Sequence, residues 1–423
     1  MEKFLNKIKI VFTDKALRKR VLFVLAVLVV FRLLSAIPIP GVDTMRLQSF
    51  LANNQFLGVL NVFSGGGLSQ LSLIMLGVGP YITASIIMQL LTIMSPRIKA
   101  MYQEEGEIGR KKFNRISKYI TVPLAVLQAV TFMVLLTQQG ILGEISAFAK
   151  IANIAVVTAG SIFLMWIGDM VSEFGIGNGI SLIIFAGIVA SIPREVNQFL
   201  FTFDISNILT YLLFLVVGLL IIVGVVIVTE AERPIPVTYA RQVRGGATSG
   251  GAQTYIPLRV NQSGVIPIIF ALSILLFPQL VGNFLVNSST VALASIGRGL
   301  LWFVENVWLY SLVYFIFVFF FTYFYTAVTF DPNKISEDLQ KNGAFVPGIR
   351  PGIATRDYIA KIVGRITLMG AVFLGLIAVL PLVMRAITGI NSLSLGGTAL
   401  LIVVSVVLDI IKKIEAELSM REY

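Results

Sequence analysis

Apolar residues in this chain arrive in long runs separated by short charged stretches, unlike the alternation of a half-buried strand or the stripe of a surface helix. The runs are about 17–25 residues long, the length that crosses a hydrocarbon core of roughly 30 Å. They predict ten spans, at about 21–37, 72–94, 118–138, 151–168, 179–193, 208–229, 262–284, 306–329, 362–384 and 396–411. Two of them, Ile180 to Ile192 and Thr398 to Ile411, are short enough to read equally as re-entrant segments. Before the first span, Phe4, Leu5, Ile8, Val11 and Phe12 share one helical face, with Lys3, Lys7 and Lys9 elsewhere, which predicts a short helix lying on a membrane surface. The first run leads into Pro38-Ile39-Pro40-Gly41 without a small-x-small cleavage pattern, so it reads as a span and not a removable signal.

Charge fixes the orientation. Ten spans put the basic clusters Lys3–Arg20, Arg97–Lys118, Arg233–Arg259, Lys334–Arg365 and Lys412–Arg421 on one side, leaving only Arg46, Lys150, Arg194, Arg298 and Arg385 on the other. Deleting the 179–193 span would send two of these clusters outside, against the positive-inside rule. Both termini therefore read as cytoplasmic, and the net charge of +11 reads as topology and not as a nucleic-acid surface. Composition agrees: 57% of the residues are hydrophobic and 13% charged, too few charges to cover a soluble surface.

The absence of cysteine and histidine excludes disulfides, zinc sites of the usual ligands, and Ser-His or Cys-His catalysis. No Gly-Lys dipeptide exists to build a Walker A loop, so energy for any transport must come from a partner or the membrane potential. Ionisable residues within the spans are nearly lacking. Arg32 and Asp409 lie close enough to an interface to snorkel. That pattern counts against an ion-coupled carrier and leaves room for a passive conduit.

The chain divides into a cytoplasmic amphipathic segment (1–20), a first half with five spans (21–193), an outer loop with the sixth span (194–229), a cytoplasmic loop (230–261), spans seven and eight (262–329), a second cytoplasmic loop (330–361), the last two spans (362–411) and a cytoplasmic tail (412–423). Two sets of five spans permit an inverted repeat, although no residue-level repeat is visible. Both long cytoplasmic loops combine proline, glycine and arginine, including Arg241, Arg244 and the run AFVPGIRPG (344–352). They read either as solvated positive loops or as shaped sites for an acidic or phosphate-bearing partner. The run FSGGGL (63–68) reads as an ordinary turn or as a glycine-softened lid. Val78 with Ile82, and Ile180 with Ile184, are i, i+4 aliphatic pairs that could line a pore, pack, or face lipid.

Several stretches resemble the bacterial SecY family in family order: VFRLLSAIPIPG (30–41), FSGGGLSQLS (63–72), GVGPYITASIIMQLL (77–91), FLMWIGDM (163–170), GIGNGISLIIFAGIVA (175–190), VNQSGVIPIIF (260–270), AFVPGIRPG and GGTALLIVV (396–404). The resemblance implies an all-α polytopic membrane protein, with ten transmembrane helices in two pseudo-symmetric halves of five around a central hourglass pore. It implies a constriction ring at Val78, Ile82, Ile180, Ile184, Ile269 and Ile402. It implies a plug at about 58–71, centred on Ser64, Gly65, Gly66, Gly67, Leu68, Ser69 and Gln70. A lateral gate is implied between spans two and three on one side and seven and eight on the other, with Thr83, Gln89, Gln128 and Phe277 as its candidates. Buried amides such as Gln89 and Gln128 could hydrogen-bond across that closed seam. Arg350, and less closely Arg241 and Arg244, match positions for docking the ribosome or the SecA motor, although the loop departs from the usual pattern at Glu232–Pro236 and in its glycine-rich stretch (240–253).

On this reading the protein is the passive pore of a protein translocase in the bacterial cytoplasmic membrane, with no cofactor. Its implied partners are SecE-like and SecG-like subunits, SecA, the ribosome, membrane lipids, and secretory or membrane-protein substrates bearing signal sequences. The alternatives are a small-solute secondary transporter, disfavoured by the missing midplane charges, and a non-conducting scaffold. An enzyme is least compatible with the residues present.

Overall fold

A computed structural model describes residues 14–41, 47, 61, 64, 66–143, 146–201, 208–239, 242–244, 247–249, 253–262, 264–286, 290–388 and 396–419. The expected surface helix before residue 13, Gly65, Arg241 and most of 42–63 lie outside these residues.

Each of the ten apolar runs holds a helix. They are α1 (Lys15–Ser35), α2 (Gly79–Met94), α4 (Gly106–Gln138), α5 (Ala147–Phe174), α6 (Gly179–Phe201), α7 (Ile208–Glu230), α8 (Ile266–Val286), α10 (Val307–Thr329), α12 (Ile353–Thr388) and α13 (Gly396–Ser419). Three further helices join them: α3 (Pro96–Gln103), α9 (Val291–Glu305) and α11 (Pro332–Lys341). Among the described residues, six helices can cross a membrane by length and composition, or seven if the bent pair α2–α3 forms one span. The others fall short because α2 has only 16 residues, the apolar part of α6 stops at Pro193, and α1 and α13 carry several charges.

Helix starts follow local capping. Asp14 accepts from the Ala16 N–H, Ser146 from Ala149, Asn306 from Leu309 and Asp331 from Asn333, each satisfying a donor that a helix start leaves open. Long helices α4 and α12 continue beyond their apolar stretches into charged segments. The Lys111–Glu107 pair at 3.0 Å lies in that solvated first part of α4.

The second span departs from expectation at its start. Ser72 pairs with Pro38 in an isolated antiparallel bridge, residues 73–78 form turns, and the helix begins only at Gly79. The reason is a set of tertiary contacts that replace helical bonds. Ile39 N–H donates to Leu71 O at 2.9 Å, Leu73 N–H to Ile37 O at 3.0 Å, and the Ser161 hydroxyl to Gly77 O at 2.9 Å. A Cβ at Gly160 would stand 2.2 Å from Leu73 O, so only glycine admits this backbone. Irregular backbone at membrane depth is tolerable when it is packed in protein in this way. At its other end α2 turns through 112° into α3, where Ser95 is extended ahead of Pro96.

The all-α expectation also needs correction. The two long loops, expected at 230–261 and 330–361, contain β1 (Glu232–Tyr239), β2 (Gln242–Arg244), β3 (Ala247–Ser249), β4 (Gln253–Arg259) and β5 (Ala344–Phe345). Strands β4, β1 and β5 form one antiparallel sheet, which draws both loops together, and β2 pairs with β3. Period-two burial explains β1: Ile235 and Val237 point inward and pack on Leu258, Ala344, Val346, Ile359 and Ile362. Strand β5 reaches only Thr238 and Tyr239, so Pro234 and Pro236 lie where that side of β1 has no neighbour, a position that tolerates proline.

Helix α9 was not foreseen. It lies against α8 through Gly282 and Gly297, where a Cβ at Gly297 would come within 2.6 Å of the Val286 nitrogen.

Candidate pore, plug and lateral seam

Five of the six ring candidates join one continuous cluster of buried side chains, and Ile180 packs against its edge. They come from separate parts of the chain: Val78 at the cap of α2, Ile82 one turn on, Ile184 in α6, Ile269 in α8 and Ile402 in α13. Val78, Ile184 and Ile402 are at most 1% exposed, and Ile82 and Ile269 no more than 8%. Local structure aims the two α6 residues. Asn178 Oδ1 accepts from the Ile180 and Ser181 N–H groups, and Gly179 N–H donates to the Ser172 hydroxyl at 2.9 Å. The start of α6 thus presses onto α5.

The glycine-rich segment is a compact knot. Ser64 donates to Asn61 O and accepts from Leu68 N–H, while Asn61 Oδ1 accepts from Ser69 N–H at 2.8 Å. The Ser69 hydroxyl donates to Gly66 O at 2.7 Å. A short 3-10 turn, Leu68–Gln70, ends at Leu71 in the left-handed region with φ 43°. A Cβ on Gly67 would lie 2.8 Å from the Ser72 hydroxyl, which fixes glycine there. Leu68 and Leu71 are buried against Ile39, Met75, Phe132, Leu136 and Ile141, in a cluster separate from that of the ring. The exposed Arg32 side chain reaches within 4.0 Å of the Cβ position of Gly66, so it faces this knot as well as the interface.

The seam between helices is thinner. Helix α8 lies against α2 and α4, and α10 touches α2. Thr83 is buried and donates to Gly79 O within its own helix. Gln89 Oε1 is buried with no hydrogen-bond partner, so the expected amide bond to the half-buried Gln128 is not made through that atom. Phe277 is 40% exposed, beside Pro278 in α8.

On the loops, Arg350 stands exposed on a turn between Gly348 and Gly352, both at positive φ. Its carbonyl accepts from the Thr355 hydroxyl, and Ser336 of α11 donates to Gly352 O at 2.7 Å, tying the turn to that helix. Arg244 lies on β2 opposite Ala247. Sequence reading passed over two further features. Lys118 of α4 and Asp169 of α5 form an ion pair at 2.5 Å. Gln103, at the end of α3, bonds to the far side of the seam. Asp169 ends an apolar run and could have been flagged as a charge needing a partner, whereas nothing local marks Gln103.

The SecY family model matches residues 72–411. The chain is 40% identical to a protein translocase subunit SecY of Mycobacterium leprae (strain TN), over 96% of both chains. It resembles the solved structure of a protein conducting channel with a TM-score of 0.64, at 20% identity over 93% of this chain and 91% of that one. It also resembles Sec61 in the canine ribosome–channel complex from the endoplasmic reticulum, with a TM-score of 0.60 at 20% identity over the same shares.

Proposed function

The chain belongs to the SecY family, and from that premise we propose that it is the central pore-forming subunit of a protein translocase in the bacterial cytoplasmic membrane. It passes unfolded secretory polypeptides across the membrane and releases membrane-protein segments sideways into lipid. The observation that carries this reading is the convergence of Val78, Ile82, Ile184, Ile269 and Ile402 in one buried apolar cluster. Branched aliphatic side chains drawn from several helices make a gasket that excludes water at rest and yields to an extended chain.

In this reading ten helices cross the membrane, α1, α2, α4, α5 and α6 in one half and α7, α8, α10, α12 and α13 in the other. Both termini are cytoplasmic, as the basic loops require. The Ser64–Gln70 segment is the plug: together with Asn61 it forms a knot whose hydrogen bonds, among the described residues, are mostly internal, so the two can leave their seat as a unit. Signal sequences enter lipid through the seam of α2 and α4 with α8 and α10. The weak polar closure at Gln89 suits an opening that an apolar helix triggers by replacing similar contacts.

Energy comes from outside the chain. The exposed Arg350 turn, seated on the sheet that joins both loops, supports docking of a motor of the SecA type or of the ribosome, with Arg241 and Arg244 as secondary contacts. The canine channel of similar fold stands in a ribosome complex, which favours the ribosome as one of these partners. SecE-like and SecG-like subunits complete the assembly.

The test is a photo-crosslinker at position 82 with a stalled secretory chain in native membranes. An adduct that forms only while the chain is in transit supports the pore path. With an engaged chain and intact assembly, no adduct at 82 or at 402 rejects it.

A further inference from the structure

Two hydrogen bonds cross the cytoplasmic end of the lateral seam, and both converge on Gln103. Its side-chain amide donates to Val328 O at 2.9 Å, and its own carbonyl accepts from the Lys334 ammonium at 3.3 Å. Gln103 is the last residue of α3, and Val328 lies in the last turn of α10. Carbonyls at helix C-termini have no partner within their helix, and a cation is favoured there. Each side of the seam therefore caps a helix end of the other. Tyr102, the neighbour of Gln103, packs into the same buried cluster as Val328 and Phe324, so the contact is seated in apolar surroundings.

We propose that Gln103 and Lys334 are positioning residues that clasp the cytoplasmic end of the seam and link its closure to the docking loop. This inference rests on the lateral-gate reading of the α2–α10 seam. Lys334 belongs to α11, and Ser336 of the same helix holds Gly352, two residues from Arg350. A partner that displaces the Arg350 turn pulls on α11 and withdraws the ammonium from Gln103. The carbonyls so exposed lie at the cytoplasmic edge, where water can take over as their partner. The clasp is thus a weak holding contact that biases the closed seam without locking it. It supplies at the cytoplasmic edge the polar closure missing at Gln89.

The chain has no cysteine, so Met94→Cys and Ala327→Cys provide two unique spin-label sites, one at the end of α2 and one near the end of α10. The distance between them is measured by pulsed dipolar spectroscopy in the assembled translocase, with and without a stalled secretory chain. In the unmodified background, engagement of the stalled chain is expected to lengthen the distance. Gln103→Ala and Lys334→Met are each expected to raise the long-distance fraction at rest by roughly 2- to 10-fold, the yield of losing one ordinary hydrogen bond. Lys334→Arg, which can still cap the carbonyl, is expected to restore the resting distribution. If engagement lengthens the distance but both variants match the parent at rest, the clasp is rejected and the seam stands. If engagement leaves the parent's distance unchanged, the lateral-gate reading fails and the clasp fails with it.

Discussion

The Ser161 hydroxyl, in the middle of α5, donates a hydrogen bond of 2.9 Å to the carbonyl of Gly77, immediately before Val78, a residue of the proposed ring. It supplies a partner to a buried carbonyl that the turns of 73–78 leave without helical bonding, and so sets where α2 begins. Ser161→Ala is expected to cost about 1–3 kcal/mol, because the carbonyl keeps its desolvation without its donor. Thermal unfolding of the purified assembly checks this, and a melting temperature equal to the parent's would remove the role.

Gly179 sits where a Cβ would fall 2.0 Å from Gly168 O. Gly179→Ala must push α6 away from α5 and shift Ile180 and Ile184 with it. A loss of about 1–3 kcal/mol is expected, the usual range for overpacking, together with increased resting ion leak. Gly218→Ala is the control, since open space surrounds that position.

Replacing Ile184 with Ser or Ile402 with Gly removes bulk from residues that are 1% exposed. Water then remains in the constriction, and resting conductance in planar bilayers is expected to rise in both variants. Deleting Ser64–Gln70 should raise it as well, whereas a non-conducting scaffold would stay silent. Unchanged conductance in all three would leave the ring and plug without support.

Arg350→Glu reverses the charge of an exposed side chain whose backbone, not its guanidinium, holds the turn. Assembly should be preserved, while export driven by a cytoplasmic partner falls by an order of magnitude, in keeping with a lost charge-assisted contact of about 1.5–3 kcal/mol. In vitro export assays with matched channel amounts decide it.

The Lys118–Asp169 pair at 2.5 Å has side chains 37% and 29% exposed, so solvent screens it in part. Asp169→Ala is expected to cost about 1 kcal/mol, and exchanging the two residues should recover most of that. Chemical denaturation of the single and exchanged variants separates pairing from bulk.

Hydropathy located the helices because bilayer thickness dictates the length of a spanning run. It misjudged the start of α2 because Leu73, Ile74, Met75 and Leu76 are as apolar as any helix. What turns their backbone is a missing side chain at Gly160 and a hydroxyl at Ser161, both far along the chain. The sheet escaped notice because Pro234 and Pro236 hide the period-two burial of Ile235 and Val237. The prolines are acceptable because β5 stops at Thr238 and Tyr239 and leaves that side of β1 open beside them. The proposed ring residues rest on resemblance, since periodicity does not separate pore-lining from lipid-facing aliphatics. Gln103 was illegible because its partners lie more than 200 positions away, at separations of 225 and 231.

Joining β5 to β1 also imposes an order on biogenesis. The β1–β4 hairpin can close once residue 259 has been made, but its third strand emerges only after α8, α9 and α10. Until then Thr238 and Tyr239 wait with an open edge, and the Arg350 turn does not yet exist. On the docking reading proposed above, a half-made chain therefore has no finished platform to offer a partner until the Arg350 turn has been synthesised.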